Sequence, residues 1–200
     1  MSDGVRVTFQ DQNQALRTHR ACRDYSAGGS ALACCSSPAC GYNIEMNPYE
    51  SFLGDRDPRV VVSETAARLS SQAGRLGSDG LKRSTAPGKW SAGAILCHLA
   101  DCEIVFGFRL RQTLAEPHHV IQPFDQDVWA KPYEVLDGRT ALDLFTAARR
   151  WNLAFLGTLA PADFGKKLTH PERGEMTLQT IVETMAGHDL NHLAQLERIS

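Results

Sequence analysis

The stretch GHDLNHLAQLERI, from Gly187 to Ile199, carries two histidines four residues apart. On an α-helix, residues at i and i+4 project from one side, a turn apart. Two imidazoles so placed can grip a single metal ion. Steps of three and four through this region give Leu178, Ile181, Met185, His188, His192, Gln195 and Ile199. The two histidines therefore lie in an apolar seam and not on a wet face. A metal site able to do chemistry needs a third protein ligand and an open position. The segment CHLADCE offers His98, beside a second seam through Ile95 and Cys102. Three neutral imidazoles would leave a divalent ion strongly Lewis-acidic. Bound water would then lose its proton near neutral pH, and a bound thiol would become thiolate. The competing reading makes these histidines hydrogen-bonded polar groups of a core, with no ion.

Other residues have chemistry-bearing types in less telling places. Cys102 lies one turn from His98. It is read as a small residue filling the seam, with a thiolate nucleophile as the competing role. Asp125, in PFDQDVWA, has two open readings: a carboxylate base near the metal, or the cap of a short helix. For Asp127 the capping role is preferred. Arg109 and Arg111 could meet an anionic substrate, although long basic side chains more often reach to water. His118 and His119 sit in a Pro-flanked loop, His170 precedes Pro171 in a turn that should lie at the surface, and His19 falls in a loose N-terminal segment.

Four amphipathic patterns must position the seam histidines. The first runs from about Pro58 to Leu76, capped by Asp57 and ended by Gly77. The second starts at Ser91 and runs to about Glu116, with Ile95, Leu99, Cys102, Phe106, Leu110 and Leu114 on one face. The third spans about Arg139 to the residue before Pro161, along Leu142, Phe145, Ala148 or Arg149, Asn152, Phe155, Leu156 and Leu159. The fourth follows Thr177 as cap. KKLTHPERGEMT, just before it, could pair as a short hairpin. The expected fold is all-α, a four-helix bundle. The long connection between helices two and three allows a crossover instead of simple up-down order.

The first 45 residues differ from the rest. They lack a sustained apolar period and are rich in Gly, Ser, Ala and Cys, so they cannot bury enough surface to offset the entropy of ordering. The expectation is a disordered extension or a misassigned start over 1–45, and a bundle domain over 46–200. Four of the six cysteines lie in that segment without paired C-x-x-C spacing, and free reduced thiols are expected. A net charge of −2 gives no basic footprint for nucleic acid. No apolar run approaches the length of a membrane span, and no secretory signal pattern opens the chain. A cytoplasmic protein is expected.

KWSAGAILCHLADCE (89–103), PFDQDVWA (123–130) and GEMTLQTIVETMAGHDLNHLAQLERI (174–199) together resemble the DinB/YfiT-like family of metal-dependent proteins. The resemblance covers about residues 46–200. It implies a four-helix bundle, often a homodimer, with a divalent metal held by three histidines, which here would be His98, His188 and His192. Zn or Ni is the expected ion, with Fe or Mn as further options. Some relatives are transferases or isomerases that use a low-molecular-weight thiol. Three functions are therefore carried forward: a metal-dependent transferase activating a small thiol, a metal-dependent hydrolase with Asp125 as base, and a non-enzymatic stress-related bundle.

Overall fold

The computed structural model describes residues 47–199. The expectation for residues 1–45 lies outside the described residues. A short helix α1 (Glu50–Leu53) precedes the long α2 (Pro58–Gly80) and α3 (Ala92–Ala115). The connection after α3 contains only the short helix α4 (Gln126–Trp129) and a 3₁₀ turn at Tyr133–Val135. Helix α5 (Gly138–Leu156), strands β1 (Lys167–His170) and β2 (Gly174–Thr177), and helix α6 (Leu178–Glu197) complete the order.

Each long helix begins at a side-chain cap, and the sequence reading names three of the four, Asp57, Ser91 and Thr177. Asp57 Oδ1 accepts from Arg59 N at 2.8 Å, and Ser91 Oγ accepts from Ala94 N at 3.1 Å. Asp137 caps α5 through Arg139 N and Thr140 N, and Thr177 Oγ1 caps α6 through Thr180 N at 3.2 Å. These oxygens satisfy backbone donors that no helical carbonyl reaches. Gly77, expected to end α2, interrupts it instead, with φ 64° and ψ −176°, a conformation that L side chains rarely adopt. The chain regains one helical turn beyond it. The anticipated hairpin forms with Leu168 opposite Met176 and Thr169 opposite Glu175.

Most of the buried apolar residues fall into two clusters along the bundle, with a small third one around Ala94, Cys97 and Tyr133. One contains Val62, Cys102, Phe106, Leu156, Met185 and Ile181; the other contains Leu69, Leu96, Leu99, Phe145, Leu193 and Leu196. Helices α2 and α6 run from the first cluster to the second, whereas α3 and α5 run from the second to the first. The order is thus up, down, down, up. Helix α3 packs against α5 and α6, and α2 packs against α6 and α5, so the consecutive helices α2 and α3 take opposite corners. The long connection is the crossover that the parallel pair α3 and α5 requires. It is tied to the hairpin where Thr169 N donates to His119 O and Ile121 N donates to Thr169 O.

Between the two clusters every long helix carries polar residues at the same height. These are Thr65 on α2, His98 and Glu103 on α3, Arg149 and Asn152 on α5, and His188, Asp189 and His192 on α6, all buried. This polar layer contains the candidate site.

Candidate metal centre

Helix α3 brings His98 to the polar layer and α6 brings His188 and His192. Their ring centroids are 4.5–5.1 Å apart in all three pairings. His98 Nε2 and His188 Nε2 lie 3.0 Å apart. Gln195 Oε1 accepts from His192 Nδ1 at 2.8 Å, an arrangement that places the proton on Nδ1 and makes Nε2 the basic nitrogen of the ring. Burial lowers the pKa of all three rings. That of His192 falls to about 4, with the Gln195 bond opposing the shift. For His98, the charge of His192 adds to burial; for His188, both other histidines and Arg149 do. The imidazoles are therefore neutral at pH 7, the protonation state in which nitrogen binds metal.

Cys102 stands closer to this group than its reading as a seam filler requires. Its Sγ is 3.5 Å from His98 Nε2 and 3.8 Å from His98 Nδ1. The ligating atoms of His98, Cys102 and His188 all fall within 4.8 Å of one another. Around a tetrahedral zinc-like ion, two nitrogens sit about 3.3 Å apart and a nitrogen and a sulfur about 3.6 Å apart. The donor types and their separations fit a divalent ion. Burial holds the Cys102 thiol far above its ordinary pKa, against the pull of the nearby Arg109 guanidinium.

Aromatic rings wall the group. Tyr49 meets His188 edge-on at 5.2 Å, Phe106 meets it at 5.9 Å, and Trp90 lies 4.9 Å from His98. Tyr49 reaches this position because residue 187 is glycine. A Cβ there would stand 2.5 Å from Tyr49 O and 2.6 Å from Tyr49 Cβ. Tyr133, in turn, packs on Trp90 and donates its hydroxyl to Asp101 Oδ2 at 2.6 Å.

Below the histidines lies an ion cluster that the sequence reading missed. Arg149 Nη1 donates to Asp189 Oδ2 at 2.6 Å and to Val62 O at 2.9 Å; Nη2 donates to Glu103 Oε2 at 2.7 Å and to Asp189 Oδ1 at 3.2 Å. Asn152 Nδ2 completes Glu103 by donating to Oε1 at 2.8 Å. One guanidinium thereby joins all four long helices. Burial alone would lower its pKa, but Asp189 and Glu103 outweigh burial and hold it above the ordinary value. The signal in the sequence was a charged residue and an amide, Arg149 and Asn152, on an otherwise apolar stripe.

The remaining candidates lie elsewhere. Asp125 is exposed and caps α4, accepting from Asp127 N at 3.0 Å and Val128 N at 3.2 Å. Of its two readings, the structure displays the cap. Asp127 is exposed on that helix. Arg111 Nη1 is bound by Gly107 O and Asn152 Oδ1, a structural role, and Arg109 Nη2 donates to Gln122 O in the crossover. His118 adopts a positive φ of 59°. His119 is buried beside the hairpin, outside the histidine group. The surface expectation for His170 is corrected: the ring is buried, Nδ1 accepts from Glu172 N at 3.1 Å, and its pKa falls to about 4 through burial, then Arg173 and Arg109. The crossover laid over the hairpin buries it. Among the described residues, no helix is long and apolar enough to cross a membrane.

Comparison with known proteins agrees with this architecture. A protein of Oceanobacillus iheyensis is 30% identical over 122 residues, covering 60% of this chain and 71% of its own. YfiT of Bacillus subtilis is 27% identical over 165 residues, covering 78% and 90%. The names of both propose a metal-dependent hydrolase. A solved structure of Bacillus subtilis YfiT, described as "a probable metal-dependent hydrolase with an unusual four-helix bundle topology", superposes with a TM-score of 0.66. It covers 87% of this chain and 93% of its own at 21% identity, a likeness of fold. The family model of the DinB superfamily matches residues 62–196, from the Val62 carbonyl that receives Arg149 to the last turn of the histidine helix, and the chain belongs to that superfamily.

Proposed function

We propose that this protein is a metal-dependent hydrolase whose divalent ion is held by His98, His188 and His192. The observation that supports it is the packing of three buried, neutral imidazoles from two helices against one another. The names of the relatives point the same way. A divalent ion in this position would supply Lewis acidity, lowering the pKa of an attacking water or thiol and polarising the bond under attack. The imidazoles suit Zn, Ni and Fe, and Zn or Ni is the proposed occupant. The protein's own part is positional. Gln195 fixes the His192 tautomer, and Arg149 locks α3 to α6 through Glu103 and Asp189. Tyr49, Phe106 and Trp90 exclude bulk water from the rings.

The thiol-transferase reading uses the same centre and differs in its co-substrate. Elemental analysis of wild type and of the His188→Ala/His192→Ala variant tests the centre: about one ion per chain is expected in wild type and none in the folded variant. Turnover of ester, amide and phosphoester substrates with water alone, lost on chelation, would support hydrolysis. Turnover only when a low-molecular-weight thiol is added would refute hydrolysis in favour of transfer. The absence of any bound metal after reconstitution would refute both and leave a bundle with polar seam histidines.

The homodimer implied by the family resemblance has a candidate surface on α3 and α5. Ile104, Phe108 and Trp151 are 50%, 60% and 68% exposed there, beside a shallow groove lined by Gly107 and Ala148. We propose that a second copy covers this face, since exposed apolar patches of this kind mark association surfaces.

A further inference from the structure

The geometry points to Cys102 as a sulfur ligand of the same ion, making the centre one of mixed nitrogen and sulfur donors. The inference rests on the metal-centre reading above and extends it to a residue outside the three-histidine set. Cys102 follows His98 by four residues on α3, so both side chains leave the helix on one side, a turn apart. The sulfur is 3.5 Å from His98 Nε2, the same nitrogen that stands 3.0 Å from His188 Nε2. These separations lie close to the nitrogen–sulfur and nitrogen–nitrogen edges of a tetrahedral site. Helical spacing alone accounts for the contact with His98; it does not account for the approach to His188 on α6, whose ligating atom lies within 4.8 Å of the sulfur. Cys97, the other cysteine among the described residues, shows the contrast: it is buried, but the ligating atoms that gather within 4.8 Å of one another are those of His98, Cys102 and His188.

Ligation changes the chemistry of the centre in two ways. A thiolate favours ions of borderline softness, such as Zn and Ni, and disfavours Mn and Mg. Together with three imidazoles it also supplies four protein ligands, so the resting ion has a closed shell. An incoming substrate must then displace the thiolate or raise the coordination number to five. The binding step balances without redox chemistry. The Cys102 S–H bond breaks, a sulfur–metal bond forms, and the proton passes to solvent. The neutral imidazoles contribute lone pairs and release no proton.

The test is absorption spectroscopy of the full chain loaded with Co(II). Wild type should bind about one cobalt and show a thiolate-to-cobalt charge-transfer band in the near ultraviolet. Cys97→Ala should keep the band, and Cys102→Ser should lose it while still binding cobalt through the histidines. A wild-type protein that binds one cobalt without the band overturns the inference and leaves the three-histidine reading standing. A band that persists in Cys102→Ser overturns it as well, because the sulfur then comes from another cysteine. Failure of wild type to bind cobalt, zinc or nickel overturns both readings. If Cys102→Ser does not fold, alkylation of wild type decides the matter. Peptide mapping should show Cys102 shielded from iodoacetamide by bound metal and labelled after chelation in mild denaturant, and equal labelling with and without metal would overturn ligation.

Discussion

Replacing Arg149 by methionine keeps an unbranched apolar stem but removes the guanidinium, with its stacking on Phe145 and, among the described residues, the cation that Glu103 and Asp189 contact. Four hydrogen bonds disappear, two of them shorter than 2.8 Å. Two carboxylates remain, each about 1% exposed. Removing one partner of a buried ion pair costs roughly 3–5 kcal/mol, most of it from the charge left behind. Set against a typical total of about 5–15 kcal/mol, this is roughly a fifth or more of the stability. A domain of this size should lose roughly 6–20 °C in Tm, at about 2–4 °C per kcal/mol. Urea denaturation of chelator-treated wild type and variant would measure the deficit. The pH dependence of that deficit distinguishes its cause. In the variant the buried carboxylates have lost the cation that favours ionisation, and burial disfavours the charge left behind. The penalty holds while they are charged and is relieved where they take up protons. The deficit should therefore narrow from pH 8 toward pH 5. Adding Glu103→Gln and Asp189→Asn to the methionine background should recover part of the loss at pH 8. A deficit below about 1 kcal/mol, or one equal at both pH values, would refute the claim that stranded charge sets the cost.

Three further outcomes are expected. Metal-free protein should lose stability as pH falls from about 6.5 to 4. In that window an unfolded His192 binds a proton that the folded one, with its pKa at about 4, refuses. His192 alone contributes roughly 3 kcal/mol of this loss, and His98 and His188 act in the same direction; flat urea midpoints between pH 7 and 5 would contradict it. Gly187→Ala should destabilise by roughly 1–3 kcal/mol through the clash with Tyr49. Alanine inside a helix normally stabilises by up to about 1 kcal/mol, so a rise in the urea midpoint would show that the Tyr49 segment gives way freely. Trp151→Glu should convert the proposed dimer to a monomer in multi-angle light scattering, and an unchanged mass would remove α5 from the interface.

The parts of this molecule that could be read from its sequence are those set by local spacing. The interval between His188 and His192, the apolar steps through Leu178 and Met185, and the caps Asp57, Ser91 and Thr177 all act within a turn or two of helix. The four helices and the inward face of the histidines followed from them. The parts that could not be read depend on which helix stands beside which. Arg149 meets Val62, Glu103 and Asp189 across separations of 87, 46 and 40 residues. The choice between Ala148 and Arg149 on the α5 stripe therefore could not be made from α5 alone. The order up, down, down, up places α5 beside α3 and carries Arg149 to the height of Glu103. Cys102 was legible as a neighbour of His98, because four residues on one helix determine that. Its distance from His188 depends on how α3 and α6 cross, which no periodicity encodes. The same holds for Tyr49, which reaches His188 only because glycine at 187 lets a distant backbone come close. Chemistry in this chain thus arises where local helix geometry meets a long-range crossing. The two polar groups built that way, the histidines and the Arg149 cluster, occupy one layer. The guanidinium that holds Glu103 and Asp189 also holds the two helices that carry the histidines, so displacing it should loosen the metal centre as well as the fold.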